Sequence, residues 1–418
     1  MAEEQGQNAQ DRAREAPDPE DPRKPDDPTD ITKPSWIYVA RKTLREFSTD
    51  QATDLAATLT YYGTLAVFPA LLAFVSIIGL IGDPQKTTDS LLQLAGGLIP
   101  SSTLDVIKGP IANLAKSPAA GVTFITGILG ALWSASGYVG AFSRAMNRIY
   151  GIQEGRPVWK LRPVTLFVTI VAILVAVAAA ALIVLSGPIA ETIGRSIGLG
   201  DTVLTIWDFA KWPVLLVLVV LVIALLYYAT PNVKQPKFKW MSIGSLVAIV
   251  VALVASAGFA FYAANFSNYN ATYGSIGGII VFLLWFWIIN NALLFGAELD
   301  AELERGRELQ AGIAAEENIQ LPPRDTHQSD KKEIQHEVDV EVGRRLREGE
   351  DVRPKDVKKE IVEKHEDEEK AAENAPQTEA EQRKAQTKKM KSASKKLART
   401  NHSQAATHIA EGIAKKDK

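Results

Sequence analysis

The 418-residue sequence contains no cysteine, which excludes disulfides, thiolate nucleophiles and cysteine-bound metals. Its five histidines, His327, His336, His365, His402 and His408, all lie in the last quarter. The apolar part of the chain therefore has no imidazole for acid–base work or metal ligation. From Leu299 to Lys418 there is no Phe, Tyr or Trp. Charges are dense there, and such a stretch cannot build an ordinary core. Between Trp240 and Ala297 the lack is of the opposite kind, because no charged residue occurs at all. No phosphate-cradling glycine loop is present, and nothing calls for a cofactor or a metal. The N-terminus is acidic and lacks the apolar core and cleavage site of a secretory signal. Insertion is therefore expected to be directed by the first membrane helix.

What is present is a very apolar middle between polar ends. The net charge of −2 is the average of these unlike parts. A helix crossing ~30 Å of hydrocarbon needs ~20 mostly apolar residues. Six stretches qualify: 55–82, 120–142, 164–187, 213–230, 241–264 and 276–297. The fold class is thus all-α, a polytopic membrane protein with six transmembrane helices. Residues 1–34 read as a disordered acidic tail, 35–305 as the membrane domain, and 306–418 as a charged tail, partly helical or disordered. Pro69 cannot donate to the carbonyl of Leu65, so a kink or tilt is expected in the first span.

Lys and Arg concentrate in alternate loops. Lys33, Arg41, Lys42 and Arg45 precede the first span; Arg144, Arg148, Arg156, Lys160 and Arg162 follow the second; Lys234, Lys237 and Lys239 follow the fourth. The positive-inside rule then puts both termini in the cytoplasm. Residues 83–119 and 188–211 have helix-like apolar spacing and suit short helices at the outer interface, and "NFSNYNATYGS" (265–275) suits a tight hairpin loop. "SWIYVARKTLREF" suits a helix on the inner interface, anchored by Trp36, Ile37 and Tyr38.

In the tail, Ile334, Val338, Val342 and Leu346 form a narrow stripe that could dock on a protein, although a solvated helix is the plainer reading. The basic run 383–399 could hold the tail on anionic lipid. It has no interleaved aromatics, so no specific nucleic acid is expected. Membrane lipids are the expected partners.

Helix contact is signalled by a stripe of small residues in the fifth span, Gly244, Ala248, Ala252, Ser256 and Ala260. No ionisable residue falls at mid-bilayer in any span, which argues against an ion-driven carrier with a midplane site. Polar groups gather instead in the cytoplasmic half. Asp54, Thr58 and Tyr61 share one helix face; Arg144, Asn147 and Arg148 end the second span; Asn291 and Glu298 share a face of the sixth. Two readings of this layer stand side by side. One is interfacial residues joining helices. The other is a polar cavity open to the cytoplasm, where Arg144 or Arg148 meets an anionic group and Asp54 or Glu298 serves as counter-ion.

Four stretches taken together carry a family resemblance: "LAATLTYYGTLAVFPALL", "LWSASGYVGAFSRAMNRIYGIQEGRPVWKLRPV", "LLYYATPNVKQPKFKW" and "YGSIGGIIVFLLWFWIINNALLFGAELDAELER". In this order, over residues 35–305, the chain resembles the YihY/virulence factor BrkB family. The positions that match the recurrent motifs are Tyr61, Pro69, Arg144, Asn147, Pro231, Asn232, Gly296, Ala297 and Glu298. The resemblance implies a six-helix protein of the bacterial inner membrane, linked to envelope integrity, serum resistance and export of lipid or lipopolysaccharide. It carries over no catalytic residues, and its older ribonuclease BN label is a misassignment. The expected function is a transporter or exporter of a lipid-like or amphipathic solute. The alternative is a non-transporting envelope scaffold that acts through its tails. A ribonuclease is disfavoured, because carboxylates in the membrane region are scattered and imidazoles are missing.

Overall fold

A computed structural model describes residues 9–80, 120–184, 201–236, 238–266 and 275–374. The fold is helical, and the pairing of Val233 with Pro323 is an isolated bridge. Ten α-helices occur among the described residues: α1 (Ala9–Glu15), α2 (Lys33–Thr49), α3 (Ala52–Leu80), α4 (Ala120–Ile149), α5 (Val158–Val184), α6 (Asp201–Ala229), α7 (Phe238–Phe266), α8 (Ser275–Gln310), α9 (His327–Arg347) and α10 (Pro354–Asn374). The chain divides into two compact units, residues 1–330 and 331–418.

Among the described residues five helices are long and apolar enough to cross a membrane, namely α4 to α8. The first expected span is present as α3, a 29-residue helix. It runs on through position 69, whose side chain lies outside the described residues. The outward faces of the bundle are apolar. Phe209 is 75% exposed and Phe261 70%, and Leu174, Val217, Leu253 and Val254 are exposed as well. In water such a continuous surface would drive aggregation, whereas lipid tails cover it at no cost.

Element boundaries differ from the sequence expectation in two places. Residues 201–211, expected in an outer interfacial segment, form the first turns of α6, and Pro213 sits inside that helix. A proline removes only its own N–H bond, here to the carbonyl of Phe209, and the apolar surroundings hold the remaining ladder together. At the other end, α8 continues past Ala297 to Gln310, giving 36 residues, or about 54 Å. Its last turns carry charges that would be costly in lipid, and they are matched by other parts of the chain. The expected outer helix in 83–119, the expected outer segment 188–200 and the hairpin residues 267–274 lie outside the described residues, as does the basic run 383–399.

Packing is most extensive between α3 and α4, followed by α7 against α8. The small-residue stripe of α7 does face α8. A Cβ on Gly244 would stand 2.3 Å from the Gly296 carbonyl oxygen, and one on Gly296 would stand 2.4 Å from that of Gly244. The two backbones touch because neither residue has a side chain. Further along the same stripe, Trp285 Nε1 donates to Ser256 Oγ at 3.1 Å.

The tightest core lies at the polar end of the bundle. There Leu59 of α3, Phe142 and Met146 of α4, Leu226 and Tyr227 of α6, and Leu294 of α8 pack with Ile319 and Leu321 of the segment after α8.

Helix α2 starts at a Thr32 cap with a proline in its first turn, so a free N–H is satisfied and a missing one is harmless. It packs along α8, burying Val39 with Leu303 and bringing Trp36 against them, while Ile37 stays exposed. Gln51, at φ +54°, turns the chain from α2 into α3. In the second unit, Val338 and Val357 are buried and Leu346 is exposed. Polar contacts join α9 to α10 there: Arg345 pairs with Glu360 at 2.6 Å, and His365 Nε2 lies 2.9 Å from a Glu337 carboxylate oxygen.

Candidate functional site at the polar end of the bundle

Two buried polar clusters occupy this end. The first ties the connections between helices together. Asn147 Oδ1 accepts the Asn232 backbone N–H at 2.7 Å, and its Nδ2 donates to Glu154 at 3.0 Å. Glu154 receives Arg156 bidentately, Nε at 2.8 Å and Nη2 at 2.7 Å. The Thr230 carbonyl, freed at the end of α6, accepts from Arg156 Nη2 at 2.6 Å and Ser143 Oγ at 2.7 Å. Asn232 Nδ2 donates to the carbonyls of Gln153 at 3.0 Å and Asp325 at 2.7 Å. Arg324 reaches the Val233 carbonyl at 2.7 Å and lies over the Tyr228 ring.

Gly155 makes this closure possible, since a Cβ there would sit 1.8 Å from the Asp325 carbonyl oxygen. Burial alone would raise the Glu154 carboxyl. The bonds and charge of Arg156 outweigh that and hold it below the usual carboxylate range. Burial, with Arg156 nearby, lowers Arg324.

The second cluster lines the end of α8. Lys24 Nζ is buried between Glu304 at 2.7 Å and Glu308 at 3.3 Å. Arg307 bonds Glu304 at 2.5 Å and the Pro25 carbonyl at 3.1 Å. Arg305 pairs with Glu302 at 2.9 Å and donates to the Ala315 carbonyl at 2.8 Å. Arg12 donates to the Gly151 carbonyl at 2.7 Å. Residues 9–34, which composition alone assigns to a disordered tail, are thus threaded along α8. Their few basic residues answer the carboxylates there, a match over long sequence distance that composition does not reveal. Asp300 Oδ1 accepts the Gly244 N–H at 2.7 Å. Glu298 is 1% exposed, and neither of its oxygens has an N–H donor.

Deeper in the bundle, Tyr138 OH donates to Asn290 Oδ1 at 2.8 Å, and Asn290 Nδ2 donates to Thr60 Oγ1 at 3.1 Å. This joins α4, α8 and α3. Tyr227 OH donates to the Leu293 carbonyl, joining α6 to α8.

The residues singled out from sequence separate into three groups. Asn147 and Asn232 bond directly, with Pro231 buried beside them. Arg148 lies 3.9 Å from Asp50 and donates to Gln51 at 3.0 Å. Glu298 faces Asp50. The structure does not bring Asp54, Thr58 and Tyr61 to these groups. They share an exposed face of α3, where Tyr61 is 61% exposed. Arg144 is exposed as well, and its guanidinium stands 5.7 Å above the Tyr62 ring. Asn291 bonds the carbonyl of Trp287 in its own helix at 2.8 Å.

Sequence reasoning missed Asp50, Glu154, Asp325 and Lys24 as members of these clusters. Glu154 and Arg156 stand two apart in the motif "GIQEGRPV", which was a usable signal. Lys24 and Asp50 carried none.

A model of the virulence factor BrkB family matches residues 43–319. The ribonuclease-like protein YfkH of Bacillus subtilis is 28% identical over 263 residues, covering 63% of this chain and 94% of that protein. A UPF0761 membrane protein of Alkalilimnicola ehrlichii is 29% identical over 280 residues, covering 64% of this chain and 57% of the relative. A UPF0761 membrane protein of Acinetobacter baylyi is 25% identical over 279 residues, covering 64% and 62%. The chain therefore spans less than two thirds of the length of those two relatives. No solved structure matches. The matched stretch holds α3 to α8, the Asn147–Asn232 contact and the carboxylates of α8, and on this ground the chain belongs to the virulence factor BrkB family of multi-pass membrane proteins.

Proposed function

We propose that the protein is a six-span transporter, moving a lipid-like or amphipathic solute with an anionic head across the bacterial plasma membrane and so contributing to envelope integrity. Six crossings are supported by parity. Arg12 bonds Gly151, so an even number of crossings must separate them. Among the described residues the helices between them are α2, α3 and α4; α2 is too short and too charged to cross, and α4 is long and apolar enough. On that count α3 crosses too. The Lys24–Glu304 pair asks the same of the whole set. The distribution of Lys and Arg makes the shared side the cytoplasm.

The observation that carries the transport reading is Arg144. Its guanidinium is exposed beside an aromatic ring, and among the described residues no carboxylate pairs with it. It stands at the polar end of α4, whose outer face is apolar: Leu129 and Trp133 are exposed. An anionic head meeting Arg144 would leave its acyl chain along that face. A charge-assisted hydrogen bond is worth ~1.5–3 kcal/mol. In proteoliposomes with fluorescent phosphatidylglycerol, Arg144→Gln is therefore expected to slow transfer about tenfold, and Arg144→Lys less. Equal rates for wild type and Arg144→Gln would refute the reading. On this reading the protein is not a ribonuclease.

A scaffold is favoured by one observation, the separate unit beginning at Lys331. Deleting residues 331–418 separates the two readings, because transport should survive it and scaffolding should not. A cut at 310 would be unsuitable, since it removes Arg324 and Asp325, which close the bundle end.

A further inference from the structure

Glu298 is the most conspicuous group that helix packing leaves unexplained. It is fully buried, its two oxygens have no N–H donor, and the side chain it meets is Asp50, carboxyl to carboxyl. Two carboxylates can bond only when one of them holds a proton, because a bare pair has acceptors and no donor. The charged groups facing the pair are Glu46 on α2, Arg148 on α4, and Glu302 and Arg305 on α8, with Lys42 of α2 facing Glu302 behind them. Most of these cations are already engaged: Lys42 with Glu46 at 2.6 Å, Arg305 with Glu302 at 2.9 Å. Arg148 stands off at 3.9 Å and on the Asp50 side. Glu298 is left without a cation of its own.

We infer that Asp50 and Glu298 share one exchangeable proton, forming a proton-binding site at the polar end of α8 that couples solute movement to proton uptake. The coupling, though not the site, rests on the transport reading above. Asp50 is the pair's contact with water, its side chain being 20% exposed. A proton enters there from solvent, and Glu298 holds it as a carboxyl O–H donating to the Asp50 carboxylate. On release it returns to water by the same route. The pair lies off the midplane, so it is consistent with spans that carry no central charge. Burial, then the neighbouring Glu46, pushes Asp50 up to about 6. Two bare carboxylates side by side repel, so the pair holds a shared proton more firmly than a lone carboxyl would.

Infrared spectroscopy of the full-length protein in nanodiscs tests the site without any transport. At neutral pH the wild type is expected to show the carbonyl stretch of a protonated carboxyl. Glu298→Gln, an isostere whose amide donates to Asp50, should lose that band. Asp50→Asn, whose amide donates to Glu298, should lose it as well, which keeps the test intact if one variant fails to fold. A band of unchanged intensity in both variants overturns the site. The coupling is tested in the labelled-lipid assay with an imposed pH gradient. Transfer that the gradient drives in wild type and no longer drives in Glu298→Gln supports the coupling. Transfer indifferent to the gradient in wild type overturns the coupling alone. No transfer in wild type, with the band intact, overturns the transport reading and leaves the proton site standing.

Discussion

Replacing Gly296 by alanine is expected to cost about 3 kcal/mol or more and to remove most of the folded protein. The added carbon would meet three surfaces at once. The Gly244 carbonyl oxygen stands at 2.4 Å, and the Ala248 Cβ and Tyr227 OH both at 2.7 Å. A flexible side chain could move aside, but a carbonyl fixed in a helix cannot. α7 and α8 would have to part. Parting them stretches the Gly244–Asp300 bond and disturbs the Tyr227–Leu293 bond, leaving buried polar groups unpaired. Gly244→Ala should behave alike from the other side, since its Cβ would lie 2.3 Å from the Gly296 oxygen. Gly258→Ala and Gly278→Ala are the controls, with nothing within 4 Å of either added carbon. Alanine is the better helix former by ~1 kcal/mol, so the controls should melt at or slightly above the wild-type temperature. Thermal melting in detergent decides the matter, and a Gly296→Ala protein that melts with the controls would rule out the close contact.

The second large effect is expected at Arg156. Arg156→Ala leaves Glu154 without its bidentate partner and takes one of two side-chain donors from the Thr230 carbonyl. Removing one member of a buried ion pair typically costs ~3–5 kcal/mol, because the remaining charge stays buried. The pH dependence gives an independent readout. In wild type the Glu154 carboxyl is held below its ordinary range, so its contribution to stability is present at neutral pH and is lost as pH falls through that lowered value. In Arg156→Ala the pull of the guanidinium is gone and burial is left. Protonating the stranded carboxyl then relieves a buried charge, so in the variant this contribution no longer falls with pH and instead recovers as pH drops. Glu154→Gln in the same background should recover part of the stability, having no charge to strand. Melting curves across acidic pH test this, and identical acid limbs for wild type and Arg156→Ala would contradict it.

Much of the helical plan was legible because hydrocarbon thickness imposes a length on apolar runs that needs no tertiary information. α4 to α8 fall on expected spans for that reason. The ends were not legible, because charge can be accommodated wherever the fold supplies a counter-charge. Glu298 to Gln310 looked like the exit from the membrane and is instead the last third of one helix. The Asn147–Asn232 contact lay within reach, since both positions belong to recurrent motifs and each follows an apolar run. Helical spacing puts Asp54, Thr58 and Tyr61 on one face, but spacing cannot tell an inward face from an outward one. Lys24 was invisible, because its carboxylate partners lie 280 and 284 residues away and nothing local marks it.

That distance also sets an order of assembly. Lys24 emerges early in synthesis, yet its binding place on α8 does not exist until Glu304 and Glu308 have been made. At ~5–20 residues per second the wait is on the order of tens of seconds. Throughout that interval every spanning helix is being inserted while Lys24 waits without its carboxylates, although the Gly151 carbonyl that Arg12 binds is made much earlier. Docking of Lys24 is therefore among the last events of biogenesis. A chain truncated before α8 would leave Lys24 undocked, which a protease or chaperone can recognise as the mark of an unfinished molecule.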